Sequence, residues 1–222
     1  MDGRVTLPEE TPSAAARVVK AIVRGLYEGL YAPGQRLAEP ELMERFGVGR
    51  STARESIRLM ESEGLVTVLP HRGAMIRRMS AEEALDALLV MELCIGLAAR
   101  QAAERVAVKG GQALEEAWRA LQRFRAAPHG YDFIAARNRF YRAITDIAGN
   151  EELSRIVPSI HVHLIRRDYS MTAPVRFEDY ARIREAILAG DAAAAETAAR
   201  KHIARTAALV REAAQAAVSR EE

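Results

Sequence analysis

Apolar residues recur at helical spacing along most of this chain. From Ser13 onward, Ala15, Val18, Val19, Ile22, Val23 and Leu26 fall on one helix face. Pro33 and Gly34 in "YAPGQRL" end that pattern. A short helix is predicted at about 39–46, a turn at Gly47 to Gly49, and a second helix at about 50–63, stopped by Gly64. The period then changes. Leu65, Val66, Thr67 and Val68 favour a strand, His71-Arg72-Gly73 suits a hairpin tip, and Ala74-Met75-Ile76 can return; no other stretch reads convincingly as β. Next, "SAEE" (80–83) places Ser80 three residues before Glu83, the pattern of a capping box. Everything beyond reads as helix, over about 81–105, 112–126, 131–148, 151–170, 178–189 and 191–217. The breaks are "KGG", "APHG", "GN", "TAP" and "AGD". The pattern therefore predicts a mainly α protein in three parts. Residues 1–12, polar and containing Pro8 and Pro12, read as a flexible arm. A helix-and-hairpin unit occupies 13–79, and an all-helical unit occupies 80–222.

Composition narrows the function. With 49% hydrophobic residues in 222, the chain can build a sizeable core and is not globally disordered. A net charge of +2 excludes a nonspecific polycation, so any nucleic-acid surface must be a local patch. The single cysteine, Cys94, excludes an internal disulfide and a cysteine-based metal cage. In "MELCIGLAAR" it reads as a small buried residue rather than a redox sensor. No apolar run approaches a membrane span, and the polar N-terminus lacks a signal-peptide pattern, so the expected location is the cytoplasm. There is no Ser-His-Asp layout, phosphate-binding glycine loop or paired-carboxylate motif with a placed partner; a non-enzyme is expected.

One local patch stands out. Arg50, Arg54 and Arg58 are spaced i, i+4 and i+8 and share a helix face, while Ala53, Ile57 and Met60 lie elsewhere and can pack inward. Arg45 precedes the turn, and between 45 and 58 four arginines stand against one acid, Glu55. Arginine near a helix start opposes the macrodipole, which points to an anionic partner. Helix, short turn, helix and hairpin is the layout of a winged helix-turn-helix, whose second helix enters the DNA major groove. Arg50 and Arg54 would then reach base edges, and Arg58 and Ser51 would meet phosphate. The competing reading is a solvated basic face with ion pairs to Glu55, Glu61 and Glu63.

The stretch "GLYAPGQRLAEPELMERFGVGRSTARESIRLMESEGLVTVLPHRGAMI" (29–76) resembles the N-terminal domain of GntR-family transcription regulators. That resemblance implies DNA contacts at Arg50, Ser51 and Arg54, and at His71, Arg72 and Gly73 of the wing tip. Where many members carry an arginine this chain has Pro40, so a phosphate contact there is lost or replaced.

The stretches "RFYRAITDIAGNEELSRIV" and "YARIREAILAGDAAAAETAARKHI" resemble the FCD-type ligand-sensing domain of the FadR subfamily, over roughly 80–215. Ile144, Ile147, Ile156 and Ile160 are its expected core residues. Many such domains hold a divalent metal through one Asp and three His. Here those positions fall on Arg137, Tyr141, Tyr180 and His202. Arginine cannot ligate and a phenol must lose a proton of pKa near 10, so no metal cofactor is expected. His161 and His163, at i and i+2, face different ways on a helix. Arg137 with Tyr141, and Tyr180 with Arg184, are i, i+4 pairs; His202 shares an inward face with Ala195, Ala198 and Thr206. Converged, these groups suit a carboxylate held directly, so a small organic acid effector is expected. Arg166 and Arg167 could join them or face a partner subunit. The competing reading has Tyr141 and Tyr180 as core aromatics, Arg137 exposed and His202 satisfying backbone.

The expectation is a homodimeric, operator-binding regulator, with repression the expected sign, modulated through the segment near 77–82. The alternatives are a helical-bundle enzyme with an accessory DNA-binding module, and a DNA-binding protein without a ligand.

Overall fold

The structure, a computed structural model, describes residues 12–70, 72–159 and 171–221. The expected arm therefore lies almost wholly outside the described residues, as do His71, Ile160, His161, His163, Arg166 and Arg167. The described residues form nine α-helices and one three-stranded sheet. They divide into two compact units, Met1–Arg78 and Met79–Glu222.

In the first unit, α1 (Ala14–Tyr27) starts where the Ser13 Oγ accepts a hydrogen bond from the Ala16 N–H at 3.1 Å. Ala15, Val18, Val19, Ile22 and Leu26 are its buried face. Gly25 is needed there for space: a Cβ would stand 2.5 Å from the Tyr31 ring, which folds back onto the helix. Helix α2 (Glu39–Phe46) carries Glu39, Pro40 and Glu41 in its first turn, where acids suit the dipole and proline costs no hydrogen bond. It ends at Gly47 in the left-handed region, φ 61°. Helix α3 (Arg50–Ser62) then buries Ala53, Ser56 and Met60. The buried Ser56 hydroxyl donates to the Thr52 carbonyl at 2.7 Å.

Strands β2 (Val66–Leu69) and β3 (Gly73–Ile76) form the expected hairpin, closed by Leu69 opposite Gly73. A further strand, β1 (Arg36–Leu37), pairs antiparallel with β3 and gives the order β1-β3-β2. Two residues carry no periodicity; only their partner on β3 makes them a strand. Leu37, Leu42, Ala53, Met60, Leu65 and Ile76 close the core of this unit.

The second unit is helical. Helix α4 (Ala81–Lys109) opens with a complete capping box: Ser80 Oγ accepts from the Glu83 N–H at 3.1 Å, and the Glu83 carboxylate accepts from the Ser80 N–H at 2.8 Å. Helices α5 (Gln112–Gln122), α6 (Gly130–Ala148), α7 (Glu151–Ser159), α8 (Ala173–Leu188) and α9 (Ala192–Glu221) follow. Helix α8 starts earlier than the sequence pattern placed it. Pro174 sits in its first turn, where proline begins a helix instead of interrupting one.

Trp118, Phe133, Phe140, Phe177 and Tyr180 form an aromatic core whose ring centroids lie 5.4–6.4 Å apart. Ile144 and Ile147 are buried as expected, but Ile156 is 41% exposed: α7 turns Leu153 and Val157 inward instead. Cys94 is only half-buried, and burial pushes its thiol pKa up, which disfavours the reactive thiolate. Among the described residues no helix is long and apolar enough to cross a membrane.

Candidate DNA interface and buried polar cluster

Two sets of candidate side chains stand out, one in each unit. In the first, α3 begins at Gly49 with no side-chain cap, so its first-turn N–H groups and Arg50 stand together at one exposed end. Ser51, Arg54 and Arg58 are exposed along the same helix. Arg50 and Arg58 have no carboxylate partner among the described residues, so ion pairs with Glu55, Glu61 and Glu63 do not explain them. Arg54 is engaged: its Nε meets Glu39 Oε1 on α2 at 3.0 Å. Arg54 is largely exposed and Glu39 about one third exposed, so water screens the pair, which is worth about 0–1 kcal/mol and can yield to a stronger anion. Arg45 lies over the Tyr31 ring, 4.8 Å from its centroid, which fixes the guanidinium beside the turn. On the hairpin, Arg72 and Gly73 are exposed, and Gly73 takes φ 77°, a conformation that favours glycine. His71 lies outside the described residues.

In the second unit, α6, α8 and α9 bring together Arg137, Tyr141, Tyr180 and His202, all buried. The His202 ring centroid is 4.8 Å from Tyr180 and 6.5 Å from Tyr141, and the two phenol rings are 6.2 Å apart. Tyr141 and Tyr180 thus belong to the aromatic core as well as to the polar cluster. Arg137 is 5% exposed, contrary to the reading that left it in solvent, and one of its nitrogens donates to Asn138 Oδ1 at 3.1 Å. His202 Nδ1 meets the Asp179 carboxylate at 3.2 Å, a carboxylate partner rather than a backbone one. Arg184 is not delivered to the cluster: its guanidinium pairs with Glu115 on α5.

Asp179 was not singled out by the sequence pattern. It is buried, accepts from His202 on one oxygen and pairs with Arg205 on the other. Burial alone would raise its pKa. The hydrogen bond and charge of His202, with the charge and hydrogen bond of Arg205, outweigh this and hold it below the usual carboxylate value. A neighbouring buried cation, Arg176, donates to the Met171 and Pro128 carbonyls at 3.0 and 3.3 Å and lies 5.4 Å over the Phe133 ring. Part of this was open to reading: Asp179 directly precedes Tyr180, and Arg205 follows His202 by three residues, one helical turn. The registration of α8 against α9 was not.

Comparisons with known proteins agree with this architecture. The family described as "Bacterial regulatory proteins, gntR family" matches residues 14–76, and the FCD domain matches residues 76–205. The HTH-type transcriptional regulator YdhC of Bacillus subtilis is 24% identical over 147 residues, which is 64% of this chain and 64% of YdhC. The matched stretch is thus slightly under two thirds of that relative's length. A Paenarthrobacter nicotinovorans protein named "Probable D-xylose utilization operon transcriptional repressor" is 24% identical over 196 residues, 86% of each chain. The fold is shared with a GntR transcriptional regulator from Rhodococcus sp. RHA1, with a TM-score of 0.76 at 19% identity, over 90% of this chain and 98% of that one.

Proposed function

The chain belongs to the gntR family of bacterial regulatory proteins and carries an FCD domain, and we propose that it binds operator DNA as a cytoplasmic homodimer whose affinity answers to a small organic acid. One observation carries the DNA reading. Among the described residues the guanidinium groups of Arg50 and Arg58 stand exposed on α3 without carboxylate partners, Arg50 at the helix end whose first-turn N–H groups have no side-chain cap and Arg58 about two turns further on. Arg50 at that end suits a bidentate contact with guanine, and Ser51 and Arg58 suit phosphate. Arg72 and Gly73 on the hairpin suit a second contact beside the recognition helix. Repression is the expected sign of regulation.

Arg50→Ala tests this. Its affinity for a duplex selected on the wild-type chain should fall by about 1–3 kcal/mol, with preference relaxed at one base pair and nonspecific binding little changed. An unaltered base preference in that variant removes Arg50 from the readout.

The effector reading rests on the buried set Arg137, Tyr141, Tyr180 and His202. A guanidinium, two phenol hydroxyls and an imidazole inside an aromatic core offer donors to a carboxylate while excluding water. The FCD resemblance implies a divalent metal, and these residues do not fit one. The guanidinium has no lone pair to give, a phenol must first surrender its proton to ligate, and His202 spends Nδ1 on Asp179. Among the described residues, no three His, Cys, Asp or Glu side chains gather around a common point. The acid is accordingly proposed to be held by the protein donors themselves.

A further inference from the structure

The edge strand β1 carries a cation that neither the helix-turn-helix nor the hairpin pattern includes. Leu37 of β1 is buried, so the alternation of a strand turns Arg36 to the opposite, solvent-facing side of the sheet. Arg36 pairs in register with Met75, and its side chain runs diagonally toward Gly73 at the end of β3. A Cβ built on Gly73 would stand 3.7 Å from the Arg36 Nε and 3.8 Å from an Arg36 Nη. The guanidinium therefore rests against bare backbone at the wing tip, beside the residue that follows Arg72. The Arg36 side chain is exposed and makes no hydrogen bond or ion pair with any described residue. Arg78, which reaches the same edge of the unit, differs: it donates to the Pro33 carbonyl at 3.4 Å and lies against Gly34. Two exposed cations, Arg36 on the edge strand and Arg72 in the hairpin turn, thus flank a glycine with no carboxylate among the described residues paired to them.

We propose that Arg36 is a DNA-backbone contact that seats the wing on the duplex. The proposal rests on the DNA-binding reading given above. The side chain starts from an edge strand and ends beside Gly73, behind the hairpin tip. It therefore meets the sugar-phosphate rail next to the groove the tip approaches, and reads no base edge. Phosphate contacts position a protein without carrying sequence information and release counterions.

The test compares Arg36→Ala and Arg36→Lys with wild type and Arg50→Ala. Each is titrated against a duplex selected on the wild-type chain and against the same duplex with its sequence scrambled, across a range of salt. For Arg36→Ala the slope of log affinity against log salt should fall by about 1.8, the value for two phosphates, one for each protomer of the proposed homodimer. Its affinity should drop about sixtyfold at 0.1 M salt, equally on both duplexes, and return to the wild-type value near 1 M. Arg36→Lys should keep the slope. Arg36→Ala binding both duplexes as wild type does, while Arg50→Ala is impaired, overturns the proposal and leaves the DNA reading intact. A loss confined to the selected duplex with an unchanged slope also overturns it, making Arg36 a base reader. If Arg50→Ala too binds as wild type, it is the recognition-helix reading that fails. A thermal melt of each variant excludes loss of β1 as the cause, and Arg36→Lys, which keeps charge and stem, decides the matter should Arg36→Ala melt early.

Discussion

At the scale of single residues, the charge chain His202–Asp179–Arg205 is the feature with the clearest energetic consequence. Asp179 is 3% exposed and ionised, a state burial opposes unless two partners hold it. Asparagine there keeps one acceptor oxygen but no charge, so Arg205 loses its counterion and one of the two partners, His202 or Arg205, meets an amide NH2 where it had an acceptor. Asp179→Asn should therefore lose about 3 kcal/mol of stability near pH 7, within the range for breaking a buried pair. The pH dependence has a definite sign. The folded carboxyl binds its proton less readily than the unfolded one, so its contribution is present above the unfolded value, about 3.9, and is lost as pH falls through the lower folded value. Melting temperatures of wild type and Asp179→Asn, compared from pH 7 down to about pH 3, should converge at the acid end. A gap that stays constant with pH would mean that packing, not charge, is what the substitution removes.

At the scale of elements, α4 is more apolar outside than a solvated helix needs to be. Leu89, Leu93 and Leu97, at i, i+4 and i+8, are 58, 53 and 42% exposed, with Val90 beside them at 47%. Ion pairs border this stripe: Arg200 with Glu92 at 3.1 Å, and Arg100 with Glu196 at 3.3 Å. An apolar centre inside a polar rim is the composition of a protein interface. One stripe on one helix can cover itself across a twofold axis, which fits the proposed pairing of two copies. Leu93→Glu should then sediment as a single chain at concentrations where wild type sediments as two. Its operator affinity should fall by about a hundredfold, because two linked half-site contacts become independent. An unchanged mass for this variant would place the dimer contact elsewhere.

At the scale of the whole molecule, the proposed function requires that ligand occupancy in the FCD unit change operator affinity. Only residues 77–80 separate β3 from α4, and the Ser80 capping box fixes where α4 begins. An effector must bind one arrangement of the protein better than another, and such coupling is typically worth about 1–3 kcal/mol. Arg137→Ala should leave effector-free operator affinity as it is and abolish the response. Screening organic acids by thermal shift, and then measuring operator binding with and without a stabilising acid, checks this. A variant that responds normally excludes Arg137 from the site; a wild-type chain that no acid stabilises defeats the organic-acid reading.

Local chemistry alone determined much of this protein. Helical periodicity, the Ser13 and Ser80 caps, the Gly47 turn and the hairpin around Gly73 are all short-range, and each is written in a handful of consecutive residues. The shared face of Arg50, Arg54 and Arg58 follows from helix geometry in the same way. Other features depended on which segments meet. Strand β1 exists because β3 lies beside it, Arg54 faces Glu39 because α2 crosses α3, and Arg184 turns to Glu115 because α5 packs nearby. Asp179 became the centre of a charge chain only once α8 and α9 came into register. Spacing within a helix fixes which side chains are neighbours on its surface; what stands opposite is set by packing between segments far apart in the chain, and no local pattern records it.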